Sequence, residues 1–298
     1  MKTFFNSLAL LLLLATARLN AAESTAKFTR TEDVIYGRKV GVSLTMDVFE
    51  PEKKNGAAVF YMVSGGFFSS KDAINPGSYR AFLERGYTVF AVVHGSQPKF
   101  QIPEITEDIQ RAVRFVRHNA SRWSVDTNRF AITGASAGGH LSLTMATQGR
   151  PGQADAKDPV DRAASTVHVA ACFFPPTDVL NWSAAGDDAV GVGTLANFKP
   201  AFGPRSDTAE GRKELGREIS PLNFVSPRTA PSLIIHGDAD KLVPLYQAEI
   251  FGKKCKEAGV PFKLIVKPGA QHGWAGIEKD LVTFADWFDE HLKPGAPK

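Results

Sequence analysis

The residues Gly134-Ala135-Ser136-Ala137-Gly138-Gly139 set a hydroxyl between glycines, after a short apolar run and before a helix-forming stretch. That context suits a nucleophilic serine on a sharp strand-to-helix turn. The backbone of such a turn is strained, and flanking glycines let the neighbouring strand and helix approach it closely. The turn also aims the N–H of Ala137 and the start of the helix toward developing negative charge. The chemistry implied is covalent acyl transfer.

A serine hydroxyl is a weak nucleophile at neutral pH and needs a base held by an acid. Around an elbow of this kind the partners follow in the order acid, then His, each in a loop after a strand. The run Ser232 to Ile235 leads into His236-Gly237-Asp238-Ala239-Asp240-Lys241-Leu242-Val243-Pro244, and Phe262 to Val266 leads into Pro268-Gly269-Ala270-Gln271-His272-Gly273-Trp274. Of the seven histidines, only His272 sits in a Gly-flanked loop after the last strand-like run. The other six fit structural or solvated positions at helix ends, within strands or in turns. Asp238 and Asp240 both qualify as the acid, and either could equally shape the turn. A second oxyanion donor is expected from Ser64-Gly65-Gly66-Phe67, which follows the first long buried run. Glycines there expose N–H groups to a substrate oxygen, and Gly66 or Phe67 is the expected donor.

The elements that must position these groups alternate along the chain. Phe28 to Tyr36 and Ser43 to Phe49 read as a hairpin turning near Gly37 to Gly41. Ala57 to Val63 is almost continuously apolar, which suits a strand covered on both faces. Further strands are predicted over Tyr87 to Val93, Arg129 to Thr133, Thr166 to Phe174, Ser232 to Ile235 and Phe262 to Val266. Helices are predicted over Glu104 to Asn119, Ala137 to Thr147, Leu245 to Ala258 and Gly276 to His291. The pattern specifies an α/β protein with a mostly parallel central sheet and helices on both faces. Pro175 to Pro227 breaks the rhythm and reads as a small, cap-like insertion after the sixth strand.

The chain has 298 residues, 43% hydrophobic and 22% charged, which fits one globular domain over 23–298 and argues against disorder. Lys2, the apolar run Leu8 to Ala15 and the small residues Ala15, Ala17, Ala21 and Ala22 read as a secretory leader, residues 1–22. Cleavage is expected after Ala22, with Ala17 as the alternative, so the mature protein is expected to be secreted or periplasmic. The apolar run is short for a membrane span, and no membrane anchor is expected. Loss of Lys2 and Arg18 with the leader takes 35 basic residues to 33, against 31 acidic ones. That near-neutral balance, without a basic cluster, argues against nucleic acid. Cys172 and Cys255 sit in settings that predict two free, unreactive thiols.

Gly134-Ala-Ser-Ala-Gly-Gly-His-Leu141, the loop from His236 to Pro244 and His272-Gly-Trp274 together resemble esterases of the α/β-hydrolase superfamily. Ile102-Pro-Glu-Ile-Thr-Glu-Asp108 and Val125-Asp-Thr-Asn-Arg129 fit as well. The branch is that of acetyl xylan and feruloyl esterase-like enzymes, near the hormone-sensitive-lipase-type carboxylesterases, and the resemblance covers Thr45 to His291. It implies the α/β-hydrolase fold, Asp240 as the acid, and no metal or cofactor. With no large lid evident in the sequence, the expected substrate is a short acyl ester of a carbohydrate or small alcohol. A prolyl-oligopeptidase-like peptidase or a formamidase-type amidase is the alternative. An inactive binding module is the non-enzymatic one, against which the intact Ser136, Asp240 and His272 speak. Two departures stand out. Ser64-Gly65-Gly66 replaces the family's usual His-Gly-Gly, and Val93-His94-Gly95 replaces its usual Tyr-Arg.

Overall fold

The computed structural model describes residues 27–293; the leader reading, residues 1–22, lies outside them. The strands are β1 (Phe28–Lys39), β2 (Val42–Pro51), β3 (Ala58–Met62), β4 (Thr88–Val93), β5 (Phe130–Ala135), β6 (Val169–Phe173), β7 (Ser232–Gly237) and β8 (Phe262–Lys267). The helices are α1 (Arg80–Leu83), α2 (Ile102–His118), α3 (Ala120–Trp123), α4 (Ala137–Gln148), α5 (Lys199–Phe202), α6 (Ala209–Ile219), α7 (Tyr246–Glu257) and α8 (Leu281–His291). Together the strands form one sheet in the order β1-β2-β4-β3-β5-β6-β7-β8. The β1–β2 and β2–β4 pairs are antiparallel, and every pair from β4 across to β8 is parallel.

Alternation within each strand divides the core between the two faces of the sheet. Phe60, Phe90 and Ile132 pack with Ile105, Ile109 and Val113 of α2 and Leu141 of α4. On the opposite face Val59, Val89, Ala131 and Leu233 pack with Phe82 of α1 and Phe284 and Phe288 of α8. Strands covered on both sides need continuous apolar runs, which explains the near-unbroken stretch at β3.

The hairpin turns at Val40-Gly41, both at positive φ, so β1 runs three residues beyond the expected Tyr36. The last helix starts at Leu281 because 277–280 form a tighter 3₁₀ turn. The segment 175–227 holds a full helix, α6, that its Gly-containing sequence hides. Thr208 caps it, its side chain accepting from the Gly211 N–H at 3.0 Å, and Leu215 and Ile219 bury its inner face. Trp182, Phe202 and Leu215 of this segment belong to the same apolar cluster as α2 and α4.

Candidate active site

Ser136 joins β5 to α4 with φ 54° and ψ −119°, a conformation costly for a residue with a Cβ. Its N–H donates to Phe173 O at 3.0 Å, and its carbonyl accepts from the His140 N–H at 2.8 Å. A Cβ on Gly134 would lie 2.6 Å from the Gly138 carbonyl, and one on Gly138 would lie 2.9 Å from Met62 O. Glycine at both positions lets β5, α4 and the end of β3 meet closely enough to hold the turn.

The loops after β7 and β8 bring the partners to that turn, tied to each other by the Ala239 N–H donating to Ala270 O at 2.9 Å. His272 Nε2 lies 2.9 Å from Ser136 Oγ, and His272 Nδ1 lies 2.7 Å from Asp240 Oδ2. A carboxylate oxygen only accepts, so Nδ1 carries the proton and Nε2 is free to accept from the serine hydroxyl. Asp240 Oδ1 accepts from the N–H groups of Leu242 and Val243, both at 2.9 Å. Asp238 sits outside this chain of bonds; its Oδ1 accepts from the Gly269 N–H at 2.6 Å and closes the turn.

Burial alone would raise the Asp240 carboxyl. The His236 and His272 imidazoles and the Val243 N–H outweigh it and hold the group well below the usual carboxylate range. Asp240 therefore stays ionised beside His272, whose side chain is 21% exposed to solvent. His236 is fully buried and its Nε2 lies 2.8 Å from Val243 O, so it braces the acid loop.

The loop after β3 is a tight turn. Gly65 N donates to Phe68 O at 3.0 Å, and Phe68 N donates to Gly65 O at 2.9 Å. Gly66 and Phe67, the central pair, have φ of 54° and 64°, the mirror-image turn that favours glycine. The N–H of Gly65 is thus committed within the turn, which removes it from the expected donor set. Among the described residues, the N–H groups of Gly66 and Phe67 have no protein acceptor. Ala137 N–H, first in α4, has no acceptor inside its helix.

Several neighbours were not marked from sequence. The Phe174 ring centre is 4.3 Å from that of His272, and Trp274 packs edge-on against Phe174 at 5.8 Å. Phe198, from the 175–227 segment, lies so close to Gly66 that a Cβ there would meet its ring at 2.5 Å. The two family departures also touch each other: His94 Nε2 lies 2.8 Å from Ser64 Oγ, while His94 Nδ1 donates to Gly95 O at 2.8 Å. No group of three or more His, Cys, Asp or Glu side chains is arranged to hold a metal among the described residues. Cys172 and Cys255 are free and buried, and burial raises both thiols, Cys255 to about 12.

Burial lowers His94 and His140 to about 4, below the ordinary 6.5 of an imidazole. Between those values the unfolded chain takes up protons that the folded chain refuses, so stability falls as pH drops through that window. Each histidine contributes about 3 kcal/mol once the window is crossed. The urea midpoint is expected to fall between pH 7 and pH 4.5, and to fall less in His140→Gln; an unchanged midpoint would contradict these burial effects.

No helix among the described residues is long and apolar enough to cross a membrane. Comparison with known proteins places this geometry in a family. Esterase LipQ of Mycobacterium tuberculosis is 25% identical over 82% of the chain, which spans 57% of LipQ's length. Ethyl acetate hydrolase of Pseudomonas putida is 24% identical over 92% of the chain and 91% of its own length. A solved structure of a truncated carbohydrate esterase from gut microbiota superposes with a TM-score of 0.74 at 24% identity, covering 90% of this chain and 99% of that one. The BD-FAE family profile matches residues 46–255, well over half of the chain. The protein therefore belongs to the BD-FAE family and has the α/β-hydrolase fold.

Proposed function

We propose that this protein is an exported serine esterase that cleaves short-chain, chiefly acetyl, esters of carbohydrate or small alcohols. The observation that carries the reading is the bonded chain from Ser136 Oγ through His272 to Asp240, with bonds of 2.9 and 2.7 Å. Ser136 Oγ attacks the ester carbonyl while its proton passes to His272 Nε2. The tetrahedral oxyanion is met by the N–H of Ala137 and those of Gly66 and Phe67. His272 then gives its proton to the departing alkoxide, leaving an acyl-serine and a free alcohol. Water repeats the sequence, with His272 as base, and releases the acid and the serine.

Asp240 keeps the imidazole in the accepting tautomer and stabilises the imidazolium that forms at each step. A short acyl group is favoured by the aromatic side chains around the site, with the Phe198 ring against Gly66 and the Phe174 ring against His272. The ethyl acetate hydrolase relative agrees with this choice, and a carbohydrate alcohol follows the family resemblance. Export rests on the sequence of residues 1–22.

Hydrolysis of p-nitrophenyl acetate, butyrate and octanoate by the mature protein tests the acyl preference. We expect kcat/KM to fall about tenfold or more from acetate to octanoate as the aromatic walls exclude the longer chain. A flat or rising series would contradict the short-acyl reading.

A further inference from the structure

We infer that Gln97 is the positioning residue of the oxyanion loop, holding the peptide that joins Gly66 to Phe67 so that its N–H faces the substrate. The inference rests on the serine esterase reading. The N–H of a trans peptide points opposite to its C=O, and the peptides of this loop are trans. The C=O and N–H of the Gly66–Phe67 peptide belong to Gly66 and Phe67 respectively. Gln97 Nε2 donates to Gly66 O at 2.6 Å, so the partner N–H of Phe67 is directed away from Gln97. The backbone N–H of Gln97 donates to Phe67 O at 3.2 Å, which fixes the next peptide as well. The Gly65–Gly66 peptide is tied in the same way, by Phe68 N on Gly65 O. Both N–H groups without a protein acceptor therefore belong to peptides whose carbonyls are anchored on the far side.

Gln97 is only 4% exposed, so its amide is a committed internal donor rather than a surface group. Its neighbours pin the rest of the loop. The His94 N–H donates to Ser69 Oγ at 3.1 Å, and the Ser69 N–H donates to Ser96 Oγ at 3.2 Å. The Ser64–His94 contact ties the start of the loop to the same segment. A donor on the carbonyl also polarises the peptide and strengthens its N–H as a donor. Gln97 thus acts at the transition state through Phe67 N–H, without touching substrate.

The test compares wild type, Gln97→Met and Ser136→Ala on p-nitrophenyl acetate and on its thionoester, whose C=S accepts hydrogen bonds poorly. Removal of a direct oxyanion donor costs about 10²–10³ in kcat; loosening one should cost about 10–10². We expect Gln97→Met to lose kcat on the ester by that amount, with KM within about threefold. Turnover of the thionoester should change little, so the ester-to-thionoester ratio of kcat/KM falls about tenfold or more. General damage to the fold would lower both substrates together and overturn the inference, as would an unchanged ratio. Gln97→Leu likewise removes the donor without adding a charge, and it carries the same expectation if the Met variant does not fold. Turnover equal in wild type and Ser136→Ala would overturn the esterase reading itself, and the inference with it.

Discussion

Ser136→Ala is expected to lose ester hydrolysis by a factor on the order of 10⁶ in kcat, while folding as the wild type does. The loss is large because no other group can take the hydroxyl's place. The oxygen removed is the one 2.9 Å from His272 Nε2, held by a turn whose backbone sits at φ 54°. Alanine has the Cβ that this backbone already accommodates, so the turn survives. The proposed oxyanion donors also survive, and a small residual rate over water is expected from them alone. Circular dichroism and steady-state assay of p-nitrophenyl acetate, side by side, check both halves. Retention of more than about one per cent of kcat would remove Ser136 from the mechanism.

Asp240→Asn is expected to cost on the order of 10⁴ in kcat with modest change in KM. The reason lies in which atom of the amide would face the histidine. Asp240 Oδ1 accepts from the N–H groups of both Leu242 and Val243, so an asparagine must place its own oxygen there. The NH₂ then takes the position of Oδ2, 2.7 Å from His272 Nδ1. A donor facing Nδ1 forces the imidazole proton onto Nε2, where it points at Ser136 and cannot accept the serine proton. Asp238→Asn provides the contrast. Its Oδ1 only accepts from the Gly269 N–H, a bond that asparagine can keep, so kcat should stay within about threefold of wild type. Kinetics of the two variants at neutral pH check the distinction, and similar losses in both would contradict the assignment of the acid.

The parts of this site legible in the sequence are those that depend on local order along the chain. Gly134 to Gly139 marks its turn because the glycines and the serine are close together in sequence, even though the contacts that demand glycine at 138 and 139 come from the ends of β3 and β6. His272 was separable because, of the two histidines after the last strand, it alone sits in a Gly-flanked loop, while His291 closes the last helix. The choice between Asp238 and Asp240 depends on which carboxylate reaches a histidine 32 residues further on. Two acids in one loop differ in this only after folding, so residue types alone left both open. The proposed oxyanion donors are backbone N–H groups and carry no side-chain signature. The turn that consumes the Gly65 N–H becomes visible only with its hydrogen bonds in place.

Gln97 and His94 are informative only because the segment after β4 lies against the loop after β3, a contact spanning about thirty residues. The same limit explains α6. Gly211 and Gly216 lower its helix propensity, yet Gly216 packs so tightly against Leu180 that a Cβ there would lie 2.5 Å from it. Tertiary packing retains the helix where propensity argues against it. The strands of the central sheet were legible because burial on both faces leaves unbroken apolar runs, and only their ends shifted by a few residues.

The most direct test of the account is to quench the mature protein during turnover of p-nitrophenyl acetate and map the acetylated peptide by mass spectrometry. The account predicts one acetyl group per chain, on Ser136, and none in Ser136→Ala. Rapid turnover with no acyl group on Ser136, or acetylation at another residue that tracks activity, would contradict it.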